Sequence, residues 1–252
     1  MRLAGTLSWA QLRRSLAIAR KDIRIYYSKG PVAIFGILFP VFLFLSFLVG
    51  RSFTVDFIIP GLLGMILFFT ATAISPAVAP WEAQARTLER LMSCPVTVPT
   101  IVLGDIVASF LFGLVISLVP LIVGLALGIS VSQPVLLALG MVLAAFCFST
   151  LGLLFSAAPS TLPSTTMMLS SMVKFPIVFI SGVFISLNEL PSWAQGIAYV
   201  SPLTYFTDIA RTCIQGEGHL SLAADLGALL AFTALSLLVA VKLHQRTMPR
   251  RI

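Results

Sequence analysis

The stretch FIIPGLLGMILFFTATAISPAVAP, Phe57 to Pro80, contains no charged residue. A helix rises about 1.5 Å per residue and the hydrocarbon core of a bilayer is about 30 Å thick, so roughly 20 apolar residues suffice to cross it. This run is long enough to span, and it sets the scale for reading the rest of the chain. Pro31 to Gly50, Ile106 to Ile129 and Val135 to Ala158 are also uncharged, while Thr165 to Leu187 carries a single charge, Lys174. A sixth run, Leu226 to Val241, is short for a span unless it extends back through Asp225. The composition agrees: 58% of the 252 residues are hydrophobic and 10% charged, where a soluble domain carries about 25% charged residues. An ordinary soluble globule is excluded, as is a disordered chain, which is poor in apolar residues and rich in charge. Cys94, Cys147 and Cys213 are scattered and odd in number, so they define no disulfide scaffold. The reading is an all-α integral membrane protein with six transmembrane helices, at 31–50, 57–80, 101–129, 135–158, 165–187 and 220–241.

Six spans place both termini on one side, and the cations say which. Arg2, Arg13, Arg14, Arg20, Lys21, Arg24 and Lys29 precede the first span, Arg86 and Arg90 lie between the second and third, and Lys242, Arg246, Arg250 and Arg251 follow the last. The opposite side holds only Arg51 and Arg211. Loops retained in the cytoplasm accumulate Lys and Arg, so both termini are expected there. The net charge of +7 thereby has an explanation other than nucleic acid, since its cations flank helices instead of forming a separate basic domain. No cleavable signal peptide is expected, because the first long apolar run has span length.

Three segments are not spans. Over 8–29, Arg13, Arg14, Arg20, Lys21 and Arg24 fall within an arc of roughly 120°, opposite Leu12, Leu16, Ala19, Ile23 and Tyr26. This predicts an amphipathic interfacial helix, anchored by its apolar face and anionic headgroups of membrane lipids, or docking a cytosolic partner. Next, 81–93 predicts a short helix opened by Pro80 or Trp81, with Glu82 four residues before Arg86, and ended by Ser93-Cys94-Pro95. It has more apparatus than a simple reversal needs. Finally, 188–219 is too apolar for a free aqueous loop. Pro191 and Ser201-Pro202 each mark a helix start, Asp208 is positioned to meet Arg211, and Trp193 and Tyr205 lie among the apolar residues. Two short helices re-entering the outer leaflet are predicted, with a plain extracellular cap as the other reading.

Lys174 falls near the middle of span five, where a charge costs about 2.5–3.5 kcal/mol. Asp105 on span three is a candidate partner about one turn inside the same boundary, and the alternatives are a snorkelling or paired structural role or a direct role in substrate passage or gating. Phe175 and Phe179 follow on the same span, and Pro176 should kink it. No Gly is followed by Lys, so the phosphate loop G-x-x-x-x-G-K-[ST] is absent. His219 and His244 are predicted on opposite sides and form no metal site, and no H-E-x-x-H or G-x-S-x-G occurs.

Two stretches resemble a known family. Arg86-Thr87-Leu88-Glu89-Arg90-Leu91 with Cys94-Pro95-Val96 looks like the "G-T-L-E-R-L … P-V" segment of the permease subunits of type-two ABC exporters. Phe179-Ile180-Ser181-Gly182, Leu190-Pro191-Ser192-Trp193, Ser201-Pro202-Leu203-Thr204-Tyr205 and Asp208-Ile209-Ala210-Arg211 look like its "S-G … L-P-x-W … N-P-L-T-Y … D-x-x-R" run. Arg86 stands where the family often has Gly, Ser201 where it often has Asn, and Asp105 where a basic residue is common. The resemblance implies a half-transporter that pairs with a second permease chain, identical or similar, and with two copies of a cytosolic ABC ATPase. That ATPase would bind ATP and Mg, and this chain would bind no cofactor of its own. Glu82, Arg86, Thr87, Leu88, Glu89, Arg90, Leu91 and Pro95 would then form the coupling segment, with Lys174, Phe175, Phe179 and Asp105 along the pathway or its gate. The function expected is export of an amphipathic or hydrophobic compound, with polysaccharide or lipid-linked glycan as the alternative. A secondary transporter and a non-transporting scaffold are the readings from other classes.

Overall fold

The structure is a computed structural model that describes residues 9–27, 34–49, 54–157, 162–216 and 218–248. Arg2, Lys29, Arg51, Arg250 and Arg251 of the charge count, and both ends of the first expected span, lie outside these residues.

The described residues fold into helices. α1 (Trp9–Asp22) runs on as one π-helical turn, Ile23–Tyr27; a second π-helical turn, Ile34–Leu38, leads into α2 (Phe39–Leu48). There follow α3 (Val55–Ala71), α4 (Ser75–Gln84), α5 (Thr87–Ser93), α6 (Val98–Ala126), α7 (Pro134–Ser156) and α8 (Pro163–Ile180). A 3-10 turn, Leu187–Glu189, precedes α9 (Ser192–Ala198), α10 (Pro202–Gln215) and α11 (Leu222–Thr247). Among the described residues five helices are long and apolar enough to cross a membrane: α3 with α4 as one 30-residue piece, α6, α7, α8 and α11. The first expected span, 31–50, is represented by a shorter apolar helix, Gly36–Ser46.

Local chemistry explains where the helices depart from the expected boundaries. The run 57–80 is not one uninterrupted helix: it stops at Ala71 and restarts at Ser75, because Pro76 has no N–H to offer the carbonyl of Thr72 four residues earlier. The expected span 165–187 ends as a helix at Ile180, where Gly182 takes a left-handed φ of 76° and turns the chain. α8 nevertheless runs through Pro176. The last helix is longer than its apolar run, since Lys242 to Thr247 continue it past the uncharged stretch.

The main core lies between α3, α7, α8 and α10. Leu63, Leu67 and Phe68 of α3 meet Phe148 of α7, Val178 of α8, and Phe206 and Ile209 of α10. Phe68, Phe148 and Phe206 form an edge-on series with centroids 5.2 and 6.4 Å apart, a favourable arrangement for aromatic quadrupoles. α10 is therefore surrounded by protein, packed on α3, α7 and α11, which is how a short helix between spans keeps its termini and polar side chains satisfied.

α1 packs along α6. The buried stripe of α1 is Ser15, Ile18, Ala19 and Asp22, whereas Leu12 and Leu16 of the expected apolar face stay exposed. The face turned to protein thus lies about a sixth of a turn from the one that hydropathy alone selected. Gly104 of α6 makes this close crossing possible, since a Cβ there would fall 2.7 Å from Ile18.

Candidate functional site

Two assemblies of polar side chains stand out. The first joins α1 to the connection between the second and third expected spans. The ammonium of Lys21 is 3.0 Å from the carboxylate of Asp22 and donates to that of Glu82. Arg14 donates to the carbonyl of Pro95, as does Gln11 at 3.3 Å. Tyr26 and Trp81 stack with centroids 5.5 Å apart. α1 therefore holds the connection at both of its ends, before α5 through Glu82 and after it through Pro95. A deeper chain of hydroxyls supports the junction: Tyr27 donates to Ser109 at 2.9 Å, and Ser109 lies 2.6 Å from Ser75.

Electrostatics fit a buried junction. Burial lowers the affinity of Lys21 for its proton, but Asp22 and Glu82 together outweigh it and the net shift is upward. Burial raises the Asp22 carboxyl above the usual range, with Lys21 opposing the rise. Asp105 of α6 lies against Asp22 across this seam, so the pairing of Asp105 with Lys174 does not form.

Between these attachments α5 is presented outward. Arg86, Thr87, Glu89, Arg90 and Pro95 are exposed and Leu91 is half-buried, while Leu88 and Glu82 are buried. Leu88 is therefore an anchor of the helix and not part of its outer face. The expected single helix over 81–93 is divided: Trp81 to Gln84 complete α4, and α5 begins only at Thr87. Arg86 at the division has φ 54°, a left-handed conformation that costs a side chain about 1–2 kcal/mol and that Gly adopts freely. It is the position at which the resembling segment often has Gly.

The second assembly lies at α10. Asp208 and Arg211 do not pair with each other. The Asp208 carboxylate accepts the backbone N–H groups of His219, at 2.9 Å, and Leu220, at 2.8 Å. Arg211 donates to the carbonyl of Gly182 at 2.8 Å and lies over the ring of Phe57 at 4.5 Å. Tyr205 donates to the carbonyl of Tyr199 at 2.7 Å. Pro191 caps α9 and Pro202 opens α10, as expected, and Trp193 is 70% exposed.

Of the expected pathway residues, Lys174 and Phe175 share a cavity of about 370 Å³ with Phe39, Phe69, Ser170 and Met167. Phe179 lies outside its lining, half-exposed and 5.5 Å from the ring of Phe184. Asp105 belongs to the α1 junction. Sequence reasoning missed Asp22, Ser109 and the Thr72 carbonyl. A signal existed for two of them, because Asp22 is the one acid among the cations of α1 and Pro76 orphans Thr72.

The ABC-2 type transporter family profile matches residues 9–214. Inner membrane transport permease YadH of Escherichia coli (strain K12) is 28% identical over 192 residues, 76% of this chain and 75% of that protein. Nodulation protein J of Bradyrhizobium diazoefficiens is 25% identical over 260 residues, covering 98% of this chain and 96% of its own. A protein named "Probable multidrug ABC transporter permease YbhR" from Escherichia coli (strain K12) is 25% identical over 185 residues, 71% of this chain and 49% of that protein. With a match that runs from the start of α1 to Ile214 near the end of α10 and takes in the α1 junction, α5 and both Asp208 and Arg211, the chain belongs to the ABC-2 type transporter family of membrane permeases.

Proposed function

We propose that this chain is the membrane-embedded half of an ATP-driven exporter, and that α5 is the surface through which a separate cytosolic ABC ATPase drives it. One observation carries the reading. α5 exposes Arg86, Thr87, Glu89 and Arg90 while Leu88 anchors it from beneath, and α1 fastens the chain on either side of it through Lys21–Glu82 and Arg14–Pro95. A charged helix held at both ends transmits a push into the attached spans instead of bending away from it. α4 leads directly from α5 into the core through the break at 72–74.

In this reading ATP and Mg are bound by the ATPase, two copies serve each complex, and a second permease chain completes the pathway. The protein sits in the inner membrane with six spans, α2 being part of the first, and both termini are cytoplasmic. The cargo is amphipathic or hydrophobic, supported by the apolar, aromatic cavity around Lys174 and by the multidrug designation of the YbhR relative.

The test is the double charge reversal Glu89→Lys/Arg90→Glu, which alters exposed side chains only. Co-purification with the partner ABC ATPase, and cargo-stimulated ATP hydrolysis, should both fall at least tenfold while the melting temperature stays within a degree or two of wild type. Unchanged co-purification and hydrolysis would remove α5 from the coupling role.

A further inference from the structure

Pro76 leaves the Thr72 carbonyl without its ordinary helical partner, and Lys174 of α8 supplies one, donating its ammonium hydrogen at 2.6 Å. Among the described residues Lys174 has no carboxylate within ion-pair distance, since the ion pairs found are those of Lys21. An ammonium has three donors and no acceptor, so a buried Lys whose hydrogen bond goes to one neutral carbonyl is under-compensated. One turn earlier on the same face, the Ser170 hydroxyl is 1% exposed, lines the same cavity and has no hydrogen-bond partner. The polar end of the cavity thus offers unused donors. Apart from Ser164 and Ser171 its other walls are apolar: the rings of Phe39, Phe69 and Phe175 meet with centroids 5.5–6.4 Å apart, and Met167 adds a deformable thioether side chain. The volume, about 370 Å³, lies in the range of small-molecule sites.

We infer that this cavity binds a single-chain amphiphile with an anionic head, the head taken by Lys174 and Ser170 and the tail by the aromatic wall, and that binding transfers the Lys174 ammonium from the Thr72 carbonyl to the ligand. The inference rests on the exporter reading for its consequence. Thr72 sits at the break between α3 and α4, and α4 continues to α5, so an occupied site loosens the cap at the pivot through which α5 is attached. Cargo charge and span geometry become linked at one side chain. A neutral ligand of the same length fills the apolar end and leaves the Lys174–Thr72 contact in place.

The direct test uses the full-length permease in phosphatidylcholine nanodiscs and measures saturable binding of radiolabelled dodecanoate over protein-free discs, with dodecanol as the uncharged probe. Wild type should bind dodecanoate at least tenfold more tightly than dodecanol. Lys174→Met should weaken dodecanoate at least tenfold and leave dodecanol within twofold, and Lys174→Arg should restore most of the difference. Lys174→Met also uncaps Thr72 and threatens the fold, so Ser170→Ala provides a milder arm with an expected threefold loss for dodecanoate alone. Discs containing phosphatidylglycerol separate a lipid occupant from a free amphiphile: strong suppression of dodecanoate binding by that lipid at low mole fraction would overturn the single-chain assignment. Equal affinity for dodecanoate and dodecanol, or dodecanoate binding indifferent to both Lys174→Met and Ser170→Ala, would overturn the site. None of these measurements involves an ATPase, so their failure leaves the α5 assignment standing, and failure of the Glu89/Arg90 test leaves the binding result intact.

Discussion

The junction around Lys21 and the helix α10 both bury charged side chains, but they use them differently. At the junction, charge meets charge between separate elements: Lys21 of α1 holds Asp22 and Glu82 and is itself 30% exposed. At α10, charge meets backbone. Asp208 caps the amides ahead of α11, and Arg211 caps the Gly182 carbonyl where α8 has ended. At the junction only the Lys21 end reaches water, so its ammonium can be rehydrated, whereas the buried carboxylates of Asp22 and Glu82 depend on it for compensation. At α10 the buried carboxylate and guanidinium each hold backbone groups that their own helices leave unpaired, so losing either side chain leaves those groups short of a partner. The contrast separates a junction held by side chain on side chain from a helix whose charges hold backbone.

Removing the Asp208 carboxylate gives the sharpest test of that contrast. Asp208→Ala orphans the half-buried amides of His219 and Leu220 and should cost about 2 kcal/mol, read as a lowered melting temperature of the detergent-solubilised protein. A variant as stable as wild type would break the comparison at once. Lys21→Met leaves Glu82 and Asp22 facing each other without a cation. Discounted for the partial exposure of Lys21, the loss should be about 1–2 kcal/mol, and it should appear as faster hydrogen exchange in 82–95 with little change in α10. Adding Glu82→Gln should recover part of it. If the loss spreads evenly over the protein, the junction is not a separable unit.

Arg86→Gly relieves the left-handed backbone at the head of α5 and should stabilise the protein by about 1 kcal/mol. A loss of similar size would mean that the Arg86 side chain contributes more than its backbone costs. The smallest effect concerns pH. Burial raises the Asp22 carboxyl, so the folded junction binds that proton more tightly than the unfolded chain, and docking of α1 weakens as pH rises from the ordinary carboxylate range through the raised value. Lys21 works on the alkaline side: its contribution is complete below the ordinary lysine range and is lost as pH rises through its own elevated value. Hydrogen exchange in α1, corrected for intrinsic rates, should quicken as pH rises above the ordinary carboxylate range, and Asp22→Asn should abolish that increment. An increment that survives Asp22→Asn would belong to another group.

Much of this was legible beforehand, for identifiable reasons. The uncharged runs located α3, α6 and α7 because length and hydropathy are local properties, and Pro202 marked the start of α10 because its fixed φ suits a first helical turn. The break at 72–74 was also written in the chain, in Pro76, but the unbroken hydropathy around it concealed the consequence. Leu88 illustrates a different limit. Its neighbours Thr87, Glu89 and Arg90 identify an exposed helix, yet nothing local says that Leu88 points inward as the anchor while those three point out. The protein-facing stripe of α1 was not legible for a similar reason: a helix with cations on one arc has two flanking margins, and which of them meets protein rests with Gly104 on another helix.

The sequence by itself determined that the chain is helical and membrane-embedded, and it singled out the segment around Glu89, because apolar run length and prolines act on their immediate neighbours. The tertiary structure alone decided the partners: Lys21 with Glu82, Arg14 with Pro95, Asp208 with the amides before α11, and Lys174 with the Thr72 carbonyl, between residues 11 to 102 positions apart. A buried charge must be compensated, but its solvation penalty is indifferent to which group supplies the compensation. Only the packing of one helix against another brings a particular donor within 3 Å of a particular acceptor.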